Sequence, residues 1–167
     1  MKKWKAEPEK SILKDQHDFL QKFFTSSKKG EFSEQLPKVE QIDSTKLVIL
    51  IAEDDPTNYM YLEIILKKIV KRIDHAMNGQ EAVDLASKKP YDLVLMDLDM
   101  PIMNGIIATQ KIKQQFPDLP IIAQTAYTTQ NDQDKAFEAG CDDFIKKPFK
   151  KGDLIEIINR TLKKKTS

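Results

Sequence analysis

The apolar positions divide the chain near residue 45. Before that point "EKSILKDQHDFLQKFFTSSKKG" sets Ile12, Leu13, Phe19, Leu20, Phe23 and Phe24 at helical spacing, the pattern of one amphipathic helix. The following "SSKKGEFSEQLPKVEQIDST" has little to bury and reads as a polar linker. A single short helix cannot build a core, so residues 1–45 are expected to form an arm that docks, pairs or stays loose. A different rhythm starts at Lys46. "KLVILIA" is a continuous apolar run, and "PTNYMYLEIILKKIVKRI" sets Leu62, Ile65, Leu66, Ile69 and Ile73 on one helical face. A short strand "IDHA" is followed by a helix in "GQEAVDLASKK", a strong strand "DLVLM" and a helix "GIIATQKIKQQF". Strands "LPIIAQT" and "DDFIKK" enclose the helix "TQNDQDKAFEAG", and "GDLIEIINRTLKK" ends the series with Leu154, Ile157, Ile158 and Leu162 in helical register. The unit therefore alternates β and α five times over residues 46–164.

Strands that are apolar throughout, rather than at every second position, belong to a parallel sheet covered on both faces. Alternation of β and α at this length predicts a doubly wound α/β fold. In such sheets ligands bind beyond the carboxyl ends of the strands, so the residues that end each strand matter most. The first strand runs into Glu53, Asp54 and Asp55; the third into Asp97, with Asp99 two residues on; the fourth into Thr125; the fifth into Lys147, just before Pro148. If the first and third strands are neighbours, three to five carboxylates converge in one crevice. Like charges so close raise one another's pKa unless a cation intervenes. Oxygen donors without cysteine or a suitable histidine select a hard ion, Mg²⁺ above all. Lys147 adds a compact positive charge and Thr125 a hydroxyl, together suited to the oxygens of a transferring phosphoryl group. A carboxylate, a metal, an ammonium and a hydroxyl make a set for in-line phosphoryl transfer. The accepting carboxylate is expected to end the central strand, which makes it Asp97.

Composition narrows the setting. The chain has 167 residues, enough for one well-buried domain, with 40% hydrophobic and 32% charged residues and a formal net charge of +1. That balance gives no field to draw nucleic acid or an anionic membrane. The single cysteine, Cys141, excludes an internal disulfide and a cysteine-built zinc site, and a cytoplasmic location is the simplest expectation. No apolar run approaches the roughly 20 residues of a membrane span, and "MKKWKAEPEKS" lacks the apolar core of a signal peptide.

"LIAEDD", "MDLDMPIMNG", "IIAQTA" and "FIKKPF", in this order and at these separations, resemble the response-regulator receiver domain of two-component signalling. The resemblance spans about Lys46 to Lys163. It implies a flavodoxin-like fold, a five-stranded parallel sheet in the order 2-1-3-4-5. It implies Asp97 as phosphoacceptor, with Glu53 and Asp54 as the acidic pair that positions Mg²⁺ and the backbone carbonyl of Asp99 as a further ligand. By the same likeness Thr125 is the switch hydroxyl, Lys147 the lysine that pairs with the phosphoryl group, and Phe144 the switch aromatic. Lys147–Pro148 matches a peptide bond that is cis in receivers, and Pro101 and Gly105 shape the turn after the acceptor. Asp99 and Tyr127 flank the site. Glu53 in place of aspartate, Asn58 and "IIAQTAY" are features of receivers fused to hybrid histidine kinases.

The implied partners are a histidine kinase or phosphotransfer protein and a downstream protein target, with a homodimer through the arm as a further expectation. The polar linker fits the C-terminal piece of a hybrid kinase, and the initiating Met with its arm fits a single-domain regulator. An alternative of another class is a Mg²⁺-dependent phosphohydrolase with an aspartyl-phosphate intermediate, Asp99 serving as its second carboxylate. A scaffold that never accepts phosphate is disfavoured because every reactive position is filled. Several features also have plain structural readings. Asp55 before Pro56 suits a helix N-cap, Cys141 a small buried filler, and His17 and His75 a solvated and a structural histidine.

Overall fold

The computed structural model describes residues 46–126 and 130–166. The arm expected over residues 1–45, its His17, and Tyr127 lie outside the described residues. Among the described residues five strands form one parallel sheet in the order β2-β1-β3-β4-β5; the alternation implies the parallel sheet and the resemblance implies its order. They are β1 (Val48–Ala52), β2 (Arg72–Ala76), β3 (Leu93–Asp97), β4 (Ile121–Thr125) and β5 (Asp143–Lys146). The helices are α1 (Pro56–Leu66), α2 (Gly79–Lys88), α3 (Gly105–Gln115), α4 (Gln130–Glu138) and α5 (Lys151–Thr166). Among the described residues no helix is long and apolar enough to cross a membrane.

Alternation along each strand splits the apolar run between two cores. Ile49, Ile51, Leu93, Leu95, Ile122 and Ile145 face α1 and α5, meeting Leu62, Ile65, Leu154 and Ile158. Leu50, Ala52, Val94, Met96, Ile121 and Ala123 face the other way, onto Val83, Ala108, Ile112 and Ala136 of α2, α3 and α4. β3 and β4 are buried at every position, which is why they read as unbroken hydrophobic runs. Cys141 is buried in the second core, the filler its sequence context suggests.

Polar residues then stop and start the helices. Asp55 caps α1, its Oδ1 accepting from Thr57 N at 2.7 Å and Asn58 N at 2.9 Å, with Pro56 opening the helix. Asn78 caps α2 while Glu81 reaches back to Met77 N at 2.8 Å. One expectation is corrected. The apolar stripe from Leu62 to Ile73 predicts a single helix, but α1 ends at Leu66 and the chain turns through Lys67–Lys71. Ile73 belongs to β2, where it pairs with Ile49. Its helical spacing is a coincidence, overridden by the burial available beside β1.

Aspartates also stand at the opposite end of the sheet, and there they are structural. Asp92 accepts from Val48 N at 2.8 Å, and Asp142 from Ile121 N at 2.8 Å and from Lys113 Nζ at 2.8 Å. Within β5, Asp143 holds Arg160 of α5 through two bonds of 2.9 and 3.1 Å.

Candidate functional site

β1 and β3 are adjacent, so the acidic residues that end them meet. Asp97 is the last residue of β3 and Glu53 follows β1; both are buried, and Asp54 is half-buried beside them. A carboxylate oxygen from each of Glu53, Asp54 and Asp97 lies within 4.8 Å of the other two. Lys147, just past β5, spans the gap, its Nζ 2.6 Å from Glu53 Oε2 and 2.6 Å from Asp97 Oδ2. Asn58, in the first turn of α1, donates to Glu53 Oε1 at 3.1 Å, and Asp99 N donates to Asp97 Oδ1 at 3.1 Å.

The charges are tightly coupled. Burial pushes the Glu53 carboxyl above its ordinary value, and the neighbouring Asp97 adds to that, while Lys147 and Asn58 pull it back. Burial alone would lower the Lys147 ammonium, but Asp97 and Glu53 outweigh it and hold it above the ordinary lysine value. Three carboxylates against one ammonium leave two negative charges uncompensated. All the donors are hard oxygens, so the residues present fit a hard divalent cation such as Mg²⁺.

Of the remaining expected residues, Thr125 ends the strand next to β3 and Phe144 lies within β5. Thr125 is buried at the end of β4, and its carbonyl accepts from Lys147 N at 2.8 Å. Its register continues Ile121 and Ala123, so it faces the α4 side of the sheet whereas Asp97 faces α1. Phe144 also packs on the α4 side, edge-on to Phe137 with ring centres 5.8 Å apart. The Lys147–Pro148 bond is cis. Gly105 lies so close beneath Asp97 that a Cβ there would run into its carbonyl oxygen. Two neighbours were not expected at the site: Asn58, read only as a hybrid-kinase feature, bonds Glu53, and His75, read only as structural, has its Nε2 2.8 Å from the Glu53 carbonyl oxygen. The i, i+5 spacing from Glu53 over a capped helix start was the available signal for Asn58. His75 gave none, since only the register of β2 on β1 places it.

Known proteins resemble this chain. The family model for the response regulator receiver domain matches residues 49–159. Two-component response regulator 24 of Arabidopsis thaliana is 33% identical over 79% of this chain and 94% of its own length. Hybrid signal transduction histidine kinase G of Dictyostelium discoideum is 39% identical over 72% of this chain, but the match spans only 4% of that kinase. Among solved structures, the receiver domain of sensor histidine kinase PA1611 from Pseudomonas aeruginosa PAO1 is 34% identical, with a TM-score of 0.66 over 71% of this chain and 98% of its own. That structure has a magnesium ion coordinated in the active site cleft. With its strand order, its meeting of acidic strand ends and this family match, the chain belongs to the response regulator receiver domains of two-component signalling.

Proposed function

We propose that Asp97 accepts a phosphoryl group from a histidine of a partner kinase or phosphotransfer protein and so switches a protein-binding face. The observation that carries this reading is the buried Asp97 carboxylate, bonded to Lys147 Nζ at 2.6 Å and clustered with Glu53 and Asp54. An Asp97 oxygen attacks phosphorus in line, the O–P bond forms as the N–P bond to the imidazole breaks, and the imidazole keeps the electron pair. Glu53, Asp54, Asp97 and the Asp99 carbonyl are the groups that would hold Mg²⁺, which when bound offsets charge on the phosphoryl oxygens. Lys147 pairs with one of those oxygens, relinquishing its contact with Asp97. Thr125 turns its hydroxyl toward another, and Phe144 follows on the same side of the sheet. Hydrolysis by water restores the carboxylate. The chemistry is the same whether the receiver works alone or within a hybrid kinase.

Incubation with a small acyl-phosphate donor and Mg²⁺ tests the assignment. Intact mass is expected to show one added phosphate on the wild type and none on Asp97→Asn; a phosphate that survives the substitution moves the acceptor elsewhere. Multiple turnover of small phosphomonoesters would instead favour the phosphohydrolase.

A further inference from the structure

We infer that His75 is a positioning residue for the divalent-cation site, acting through the peptide unit that joins Glu53 to Asp54. The inference rests on the reading of Glu53, Asp54 and Asp97 as the cation's carboxylates. His75 lies in the edge strand β2, paired with Ile51 of β1. Its Nε2 is 2.8 Å from the Glu53 carbonyl oxygen. A carbonyl only accepts, so Nε2 carries the hydrogen. The ring lies flat on Tyr59 of α1, with centroids 3.7 Å apart and planes 9° from parallel. That stack fixes the plane of the imidazole and therefore the direction of its N–H.

The bonded carbonyl belongs to the peptide between two of the acidic residues. Rocking that unit would swing the Asp54 side chain relative to Glu53. The preceding peptide is tied as well, since Glu53 N donates to Ala76 O at 3.0 Å. Both peptides flanking Glu53 are thus held by β2, and the Glu53 side chain is held at Oε1 by Asn58 and at Oε2 by Lys147. A hard divalent cation demands oxygen positions held to a few tenths of an ångström. Groups that orient metal ligands without touching the metal can be worth roughly 10-fold in affinity. The bland alternative is an edge-strand ring that merely packs on Tyr59. It predicts that any flat aromatic will serve.

The test compares Mg²⁺ affinity of the full chain, wild type, His75→Phe and His75→Gln, by calorimetry and by the rise in melting temperature with Mg²⁺. Phenylalanine keeps the stack and loses the donor, while the glutamine amide nitrogen replaces Nε2. The expected result is roughly 10-fold weaker binding for His75→Phe and near wild-type binding for His75→Gln. Wild-type affinity in His75→Phe, or equal losses in both variants, would overturn the inference. Should His75→Phe not fold, Tyr59→Leu carries the test, since it removes the ring's platform and leaves the donor: weaker Mg²⁺ binding supports the role and unchanged binding overturns it. A wild-type chain that shows no saturable Mg²⁺ binding removes the cation site itself, and the inference with it.

Discussion

Helices α1 and α4 each follow a strand that ends at the site, yet they are anchored very differently. α1 starts on a two-bond aspartate cap and buries Tyr61, Leu62, Ile64, Ile65 and Leu66. On α4 the anchors among the described side chains are small: Ala136 is buried, Ala139 just beyond the helix likewise, and Phe137 is left 46% exposed. The contrast follows the division of labour. Asn58 at the start of α1 holds a carboxylate in place, and rigid support suits groups that position charge. α4 borders Phe144, the proposed switch aromatic, and a weakly anchored element is the kind that moves when a nearby equilibrium shifts.

The largest expected effect breaks this comparison outright. Leu62→Ala removes a buried side chain and is expected to cost about 3 kcal/mol, whereas Phe137→Ala, half in water already, should cost less than about 1 kcal/mol. Urea unfolding at pH 7 measures both; equal costs would erase the difference between the helices. Next in size is Lys147→Ala, which strands Glu53 and Asp97 without their cation and is expected to destabilise by about 2 kcal/mol at pH 7 in the absence of Mg²⁺. Its sign with pH is also set. Removing the ammonium leaves burial and Asp97 to raise Glu53 further, and a raised carboxyl favours the fold below its unfolded pKa and loses that stability as pH rises through the folded value. The variant should therefore recover stability on acidification from pH 7 toward 5, relative to wild type. Parallel urea midpoints across that range would contradict it.

Amide exchange sharpens the comparison without changing the sequence. With Mg²⁺ and a phosphoryl mimic, exchange should change in α4 and β5 and stay constant in α1; unchanged protection in α4 would count against the proposed output face. The smallest effect is alkaline. Burial, with help from Asp153, raises the Tyr61 hydroxyl to about 12, and burial, with help from Asp142, raises the Cys141 thiol to about 11. Both groups hold their protons more tightly when folded. Their contribution is thus complete below the unfolded values of 10.0 and 9.0 and fades as pH climbs through 11 and 12. A gentle fall in melting temperature from pH 8 to 11 is expected, and a rise would reverse the sign.

Much of this was legible in the residues because parallel strands are buried on both faces. "LVLM" before Asp97 and "IIAQ" before Thr125 could hardly be anything but central strands, and the polar residue at each exit stood out by contrast. Asp55 likewise announced itself as a cap through the proline beside it. What remained hidden depends on register and on which side of the sheet a residue points. The true end of α1 was masked because Ile69 and Ile73 sit at helical spacing, although Ile73 is spent on β2. The bond from His75 to Glu53 requires knowing that β2 lies beside β1 and in which alignment. Gln124 is the residue least explained: it is fully buried beside Asp97 in the sheet, with neither amide atom partnered among the described residues, and local pattern gives no hint of that.

Neighbouring strand ends in this sheet present opposite sides. Asp97 looks toward α1, Thr125 and Phe144 toward α4, and the amide of Lys147 is bonded to the carbonyl of Thr125. The lysine thus touches both strand ends, its ammonium bonded to Asp97 and its amide bonded, in the plane of the sheet, to the residue whose side chain faces the other way. If Asp97 takes up a phosphoryl group as proposed, the added charge need not push through a packed interior to be felt behind the sheet. It only has to tug on a residue already hydrogen-bonded to the end of the next strand.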